Sequence, residues 1–306
     1  MHRRLVGGLL LVVVLTLAVV IPNLGGVHQE GIGTPIQLPE DPRVGDCLLQ
    51  PLTDFIAISP SGSDPPLAPT FAPCDGRNVE GQVVAVVRAT GSVTARLRQA
   101  EDSGGGCYQS SLKYSGLVLH DGRTVLADQS LDDPVDWNLT INVRSGWVLP
   151  APLLQTAGQT WVACIAAPLS GATYRGQLAD AFSGGKLPDE FGFCWEQDLP
   201  SNFGSVSCSN PHHAELVSLG TIPDGRTVAS ADIESSCQTL AAKVIGRSDP
   251  TAAGRLKVAT SVSSSHAAQS TTIAQPLNVI CYIDPVTGPL AGSVVGLREQ
   301  PIPYSK

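Results

Sequence analysis

Cysteine, histidine and glutamate are the residues of this chain whose types and spacing could support chemistry. Cys208, His212 and Glu215 lie close together, and Cys194 precedes them. Thiolate, imidazole and carboxylate groups in such a cluster are possible ligands of Zn²⁺, and the histidine and glutamate could also act as an acid and a base. A structural interpretation competes with both. In that interpretation Pro211 and His212 form a turn whose imidazole hydrogen-bonds locally, and Glu215 starts a strand.

The cysteines bear on this choice because they repeat. The chain has 8 cysteines, in two groups of four with similar neighbours: Cys47, Cys74, Cys107 and Cys164, then Cys194, Cys208, Cys237 and Cys281. The first cysteine of each group lies in a Gly-x-Cys-x-x-Gln-x-Leu string, and the fourth opens a Cys-x-x-x-Pro-x-x-Gly string. Such repetition indicates a duplicated module with a covalent framework. The first group lacks neighbouring histidines, which argues against a repeated metal site.

Each module allows three disulfide pairings, and the spacing alone does not choose among them. We favour the first cysteine with the second and the third with the fourth. The first pair brackets a short, hairpin-like stretch, whereas the third and fourth would tie a helix to the last strand. Each bridge is expected to contribute about 2 to 4 kcal/mol to the free energy of unfolding.

The N-terminal segment predicts a compartment in which such bridges persist. Residues 5–21 carry no charged side chain and follow Arg3 and Arg4. The run is about long enough to cross a bilayer core, and the two arginines predict a cytoplasmic N-terminus. We expect an uncleaved signal anchor over 1–27 in a single-pass protein of the cell membrane, with the modules extracytoplasmic; a cleaved signal peptide is the alternative. An even cysteine count outside the membrane favours disulfides over metal or thiol chemistry, so neither a metal nor a cofactor is expected.

Periodicity and composition predict the organisation of the rest. We expect an α+β fold of two tandem modules, each with a few antiparallel strands and one packed helix. In the second module the helix is predicted over 231–245, with Cys237 on its apolar stripe. The predicted segments are a linker at 28–42, the first module at 43–178, a linker at 179–190, the second module at 191–298 and a tail at 299–306.

Alignment of the two modules at equal distances from their cysteines makes two further predictions. It places Asn78 and Gly81 opposite His212 and Glu215, so whatever this pair does is expected in one module only. It also matches Leu139 with Leu256 in a strand that precedes the fourth cysteine.

The Cys-x-x-Pro-His-x-x-Glu string from Cys208 to Glu215, together with Gly192-x-Cys194 and the later helix and strand cysteines, resembles the septum formation domain of actinobacterial envelope proteins. Members of that family look like a short membrane anchor followed by one or two four-cysteine modules. The resemblance covers most of the chain after residue 43 and is stronger in the second module. It implies a location near the division septum and implies no particular reaction.

Motifs and charge narrow the function class further. Ser110 and Lys113 fit the Ser-x-x-Lys pattern of acyl-transfer enzymes, but the companion motifs are missing, so no catalytic residue is predicted. A net charge of −8 without a basic run argues against nucleic acid as a partner.

We therefore expect a non-enzymatic binding or scaffold protein of the envelope, linked to septum or cell-wall assembly. Its expected partners are the membrane, envelope or division proteins, and cell-wall glycan, with His212 and Glu215 as binding residues. The alternative is an envelope enzyme or metal-binding protein that uses the region of His212 and Glu215.

Overall fold

Two antiparallel sheets form the framework of the fold in the computed structural model. The structure describes residues 38–56, 68–130, 132–197, 205–223, 226–263 and 277–305. The strands are β1 (Cys47–Leu48), β2 (Phe71–Ala72), β3 (Gly81–Arg88), β4 (Leu117–His120), β5 (Arg123–Leu126), β6 (Asp136–Asn138), β7 (Val143–Val148), β8 (Trp161–Pro168), β9 (Cys194–Trp195), β10 (Ser205–Val206), β11 (Ala214–Ile222), β12 (Leu256–Ser263) and β13 (Leu277–Pro285). The helices are α1 (Thr53–Ile56), α2 (Val93–Gly104), α3 (Cys107–Tyr114), α4 (Pro152–Thr156) and α5 (Ser230–Ile245), with a 3₁₀ helix at Asp189–Phe191. The predicted α+β class is confirmed.

The two sheets have the same strand order, which supports the duplication read from the cysteines. The first sheet runs β2-β1-β3-β8-β7, and the second runs β10-β9-β11-β13-β12. The short strand β6 joins the second sheet by pairing with β11, and β4 and β5 form a separate hairpin. All of these pairs are antiparallel.

The eight cysteines form four disulfide bonds in the favoured pairing: Cys47–Cys74, Cys107–Cys164, Cys194–Cys208 and Cys237–Cys281. In each half the first bond ties the first strand to the segment just after the second strand. The second bond ties a helix to a central strand, α3 to β8 in the first half and α5 to β13 in the second. No bond joins the halves, and all eight cysteines belong to the part of the chain described here.

The helix of the second half follows its apolar stripe. It begins at Ser230, one residue before the predicted start, and ends at Ile245 as predicted. Gly246 caps it with a φ of 77°, the left-handed conformation that glycine adopts readily. Cys237 faces the core among the buried residues of this helix. In the first half a second helix, α2, precedes the predicted one, and its N-cap Ser92 accepts a hydrogen bond from the Ala95 N–H.

Contacts between the halves are extensive. Residues Glu40–Lys306 form one compact unit. Trp137 of β6 pairs with Gly220 of β11, and one hydrophobic core contains residues of both halves. The segment predicted as a linker contributes buried Ala181 and Leu187 to that core. The boundaries of the two modules stay a prediction.

Strand register corrects one of the two equal-offset matches. Val143 pairs with Pro168 at the end of β8, and Leu256 pairs with Pro285 at the end of β13. The equivalent of Leu256 is therefore Val143 and not Leu139, because the ladder between the last two strands has eight pairs in the second half and six in the first.

The predicted membrane span, residues 5–21, lies outside the described residues. Among the residues that are described, no helix is long and apolar enough to cross a bilayer.

Candidate functional site

The Pro-His-x-x-Glu motif lies where β11 begins, beside the disulfide bond that links β9 to the turn after β10. Glu215 is the second residue of β11 and pairs with Cys194 on β9. His212 precedes the strand and exchanges two backbone hydrogen bonds with Leu290, both of 2.9 Å. The motif therefore connects the first bridge of the second half to the C-terminal segment that follows β13.

The carboxyl group of Glu215 holds that C-terminal segment in place. Glu215 is fully buried. Ser293 Oγ donates to Oε1 at 2.5 Å, and the Val294 N–H donates to Oε2 at 2.7 Å. A second carboxyl group, from Asp189 on the 3₁₀ helix, accepts from the Ser293 N–H at 2.8 Å. These acceptors satisfy buried backbone donors that would otherwise be costly to remove from water.

In the first half a neutral side chain, that of Gln82, has the corresponding structural role. Gln82 pairs with Cys47 on β1, as Glu215 pairs with Cys194 on β9. Gln82 is also fully buried, and its Oε1 accepts from the Leu178 N–H at 2.9 Å. Gln82 is therefore the structural equivalent of Glu215.

The equivalent of His212 is likewise fixed by backbone pairing. Val79 exchanges two 3.0 Å hydrogen bonds with Tyr174, as His212 does with Leu290. The match predicted from equal offsets, with Asn78 and Gly81, is wrong by one position. We predicted that the role of this pair is confined to one half. For Glu215 this is wrong, because Gln82 accepts the corresponding backbone hydrogen bond in the first half. The first half has one more residue than the second between its second cysteine and the residue that pairs with its first cysteine. Counting offsets from the cysteines cannot detect this residue, whereas the backbone pairing shows it.

Burial raises the pKa of Glu215 to about 7, and the neighbouring Asp189 carboxylate raises it as well. The hydrogen bonds from Ser293 and Val294 lower the pKa, as does the Lys186 ammonium group, but they offset only part of the cost of burial. The carboxyl group therefore exchanges its proton near neutrality.

This shift predicts a pH-dependent stability. Between the ordinary pKa of 4.5 and the folded value of about 7, the folded chain holds a proton that the unfolded chain has lost. The stabilisation is complete below pH 4.5 and is lost as the pH rises through 7. Glu215→Gln should remove this loss, so the wild-type free energy of unfolding should fall relative to the variant by roughly 3 kcal/mol between pH 4.5 and pH 8.5.

Urea unfolding of both proteins at several pH values measures this difference. The variant is compared with wild type because His212 has the opposite effect on the pH dependence of stability, and this effect is present in both proteins. Burial lowers the pKa of His212, so its contribution to stability is lost as the pH falls below 6.5. Parallel curves for the two proteins would contradict the prediction.

The imidazole of His212 has one nitrogen satisfied and one without a partner. Nδ1 lies 2.8 Å from the Asn210 carbonyl oxygen, which can only accept, so Nδ1 carries the proton. Nε2 is buried and has no hydrogen-bond partner among the described residues. Burial, the largest influence, lowers the pKa of His212, and the opposing effects of the Asn210 carbonyl and the Asp189 carboxylate offset only part of this shift. The ring is therefore neutral, with a lone pair on Nε2.

The disulfide bond Cys194–Cys208 lies against both of these side chains. One ligand atom from each of Cys194, Cys208, His212 and Glu215 lies within 4.8 Å of the others, and all four residues are buried. Gly192 makes this proximity possible. A Cβ atom at that position would lie 2.4 Å from Cys208 Sγ and 3.4 Å from Glu215 Oε1.

The structure thus agrees with the local interpretation of the motif. His212 bonds to a neighbouring carbonyl, and Glu215 lies at the start of a strand. Neither side chain is exposed to solvent, and partner binding by this pair stays a prediction. The hydroxyl group of Ser110, in the Ser-x-x-Lys string, donates a hydrogen bond to the carbonyl oxygen of Gly106, the N-cap of α3.

An open cleft lies close to this buried cluster. It has a volume of about 500 Å³, and charged groups of both signs line it, namely Arg175, Lys186, Asp189 and Glu190. Arg175 is exposed and donates from Nε to Asn78 Oδ1 at 2.6 Å. Lys186 Nζ lies 3.4 Å from Asp189 Oδ1. The cleft is therefore polar and carries both cationic and anionic groups.

The wall of the cleft contains two groups with perturbed ionisation. Burial raises the pKa of the half-buried Glu190, and the Asp189 carboxylate raises it further. Burial also raises the pKa of Tyr174, whose hydroxyl has no hydrogen-bond partner among the described residues. The Tyr174 ring packs edge-on against Phe191 at 4.9 Å. Perturbed groups in a cleft are a common feature of ligand sites.

Sequence reasoning missed the cleft because its residues come from separate segments. Asn78 follows the second cysteine, Arg175 follows β8, and the other three charged residues lie in the predicted linker. The sequence did contain an indication of the cleft. Three charged residues, Lys186, Asp189 and Glu190, lie close together in a segment whose glycines otherwise indicate a linker.

No known family model, curated protein or solved structure matches this chain.

Proposed function

We propose that this chain is an extracytoplasmic binding protein of the cell envelope, held at the membrane by its N-terminal apolar segment. The four disulfide bonds support an oxidising compartment, and the uncharged run over residues 5–21 supports an anchor. The resemblance to the septum formation domain supports a place near the division septum.

The observation that carries the proposal is the charged cleft. Arg175, Lys186, Asp189 and Glu190 line an open volume of about 500 Å³, which is within the usual range for small-ligand sites. Groups of both signs suit a polar envelope ligand that itself carries both signs, such as a peptide of the cell wall or the exposed terminus of an envelope protein.

The buried position of the motif argues against catalysis by His212 and Glu215. A general acid or base must come within hydrogen-bond reach of its substrate, whereas His212 and Glu215 have no exposed surface. Both already make structural contacts, to Asn210 and to the C-terminal segment. The cleft is thus the better site for a partner.

Co-sedimentation of the full-length protein with isolated cell-wall material tests this site. Arg175→Ala and Glu190→Gln should each reduce binding about tenfold, since a hydrogen bond to a charged group contributes about 1.5 to 3 kcal/mol. Arg98→Ala is the matched control, because Arg98 is exposed on α2 and does not line the cleft.

Equal losses in all three variants would indicate non-specific charge attraction, and unchanged binding in all three would exclude the cleft. If wild type does not sediment with the wall, the glycan and peptide ligands are excluded and a protein partner remains. In that case cross-linking through a photoreactive residue at position 175 identifies the partner.

The compartment and location have separate tests. The native protein should contain no free thiol, and a C-terminal tag that folds outside the membrane should be enriched at mid-cell. Eight reactive thiols would contradict the extracytoplasmic placement. An even distribution around the cell would remove the septal role while leaving the binding function open.

A further inference from the structure

The cluster beside the Cys194–Cys208 bond contains the donor atoms of a metal site. Two sulfurs, an imidazole nitrogen and a carboxylate oxygen lie within 4.8 Å of one another in a fully buried position. Two thiolates, one imidazole and one carboxylate are ligands that Zn²⁺ accepts in tetrahedral sites. In the disulfide-bonded chain the sulfurs are engaged with each other, so the site is latent.

Comparison of the two halves indicates that the structural tasks at these positions need neither ligand. Val79 stands where His212 stands, and Gln82 stands where Glu215 stands. Gln82 satisfies the facing backbone N–H as a neutral amide. The second half instead buries an imidazole and a carboxyl group, at a cost in desolvation, and both lie next to its first disulfide bond.

His212 is already oriented as a metal ligand. Histidines that bind metals generally donate their other ring N–H to a backbone carbonyl or carboxylate, which fixes the tautomer and the ring. His212 has this arrangement, with Nδ1–H donated to the Asn210 carbonyl and Nε2 left buried and without a partner among the described residues. Ser293 and Val294 orient the Glu215 carboxylate in the same way.

We propose that reduction of the Cys194–Cys208 bond by a dithiol converts this cluster into a binding site for Zn²⁺ or a similar thiophilic divalent cation. The dithiol gives two electrons and two protons to the disulfide and is itself oxidised to a disulfide, which leaves two protein thiols. Binding of the cation releases both thiol protons to solvent and forms two metal–sulfur bonds. His212 Nε2 and a Glu215 oxygen supply the other two ligands. This inference does not depend on the proposed function of the cleft.

Titration with Co²⁺, a spectroscopic substitute for Zn²⁺, tests the site. The full chain is reduced with dithiothreitol without oxygen, freed of reductant and titrated. We expect a single bound Co²⁺ with the visible bands of tetrahedral coordination and a thiolate-to-cobalt band in the near ultraviolet. The oxidised chain should show neither.

Variants assign the ligands. Cys194→Ala with Cys208→Ala should abolish the spectrum. His212→Val and Glu215→Gln introduce the side chains that the first half uses, so both are expected to fold. Each should weaken binding by at least about tenfold, because loss of even an outer partner costs about 10- to 100-fold.

Two controls should retain wild-type binding. His213→Ala removes the adjacent, exposed histidine, and Cys47→Ala with Cys74→Ala removes the corresponding bond of the first half. Near-ultraviolet circular dichroism of each oxidised variant checks the fold. The proposal is overturned if reduced wild type binds no Co²⁺, if binding survives loss of Cys194 and Cys208, or if His212→Val with Glu215→Gln leaves it unchanged.

Discussion

Replacement of Trp137 by alanine is expected to lower the free energy of unfolding by about 3 to 5 kcal/mol. Trp137 is fully buried on β6, a strand of the first half that pairs with β11 of the second. Its Nε1–H donates to Ser236 Oγ on α5 at 2.6 Å. Alanine would lose the apolar contacts of the indole, leave a cavity between the halves and remove a buried hydrogen bond.

The cavity should not close readily, because the indole lies directly against Gly220 of β11. A Cβ atom at Gly220 would lie 2.6 Å from a ring carbon of Trp137, so the sheet already approaches the ring as closely as it can. Urea unfolding measures the loss. Trp137→Phe keeps most of the ring volume and should cost clearly less than alanine.

Leu153→Ala provides a surface control, since Leu153 is 78% exposed and its truncation should change stability by less than about 0.5 kcal/mol. A loss below about 1 kcal/mol for Trp137→Ala would mean that the halves do not depend on this contact.

Removal of the Cys107–Cys164 bond is the second large effect. This bond ties α3 to β8 across a sequence separation of 57, the longest of the four. Without it the unfolded chain gains conformational freedom, and the free energy of unfolding should fall by about 4 kcal/mol. Cys107→Ala with Cys164→Ala, unfolded by urea, measures the loss.

The Cys47–Cys74 bond offers a matched control because it closes a separation of 27, close to half as long. Loop-closure entropy predicts that its removal costs less, by about 0.6 kcal/mol for a twofold difference in length. The opposite order would show that local packing of the bonds, and not the length of the closed loop, governs their contribution.

Much of the covalent and local structure could be predicted from the sequence. The repeated cysteine neighbours indicated the duplication, and the four bonds have the favoured pairing. The stripe that contains Cys237 predicted α5 to within one residue at its start. Such features depend on residues close together in the chain, where spacing and periodicity translate directly into geometry.

The sequence did not predict correctly which residues of the two halves occupy equivalent positions. Equal offsets matched Glu215 with Gly81 and Leu256 with Leu139, whereas backbone pairing matches them with Gln82 and Val143. For Glu215 the shift is one position, caused by one extra residue between the second cysteine and β3 of the first half. For Leu256 it is four positions, because the β12–β13 ladder has two more pairs than the β7–β8 ladder. Only the hydrogen-bond ladders reveal where these residues have been inserted.

The candidate sites divide in the same way. Composition around residues 179–190 suggested a linker, yet Leu187 enters the core while Lys186, Asp189 and Glu190 line a cleft with Arg175. Asn78 also lines this cleft and hydrogen-bonds to Arg175 across a sequence separation of 97. A separation along the chain therefore concealed this proximity in space.

By itself the sequence determined the α+β class and the duplicated four-cysteine framework, because apolar periodicity and cysteine spacing act locally, and the structure then decided the pairing that the spacing had left open. Only the tertiary structure decided that the halves share one core, that His212 and Glu215 are buried against a disulfide bond, and that a charged cleft lies nearby. Burial, ionisation and proximity between distant segments arise from packing. Packing brings together residues that are far apart in the chain, and their spacing does not predict these contacts.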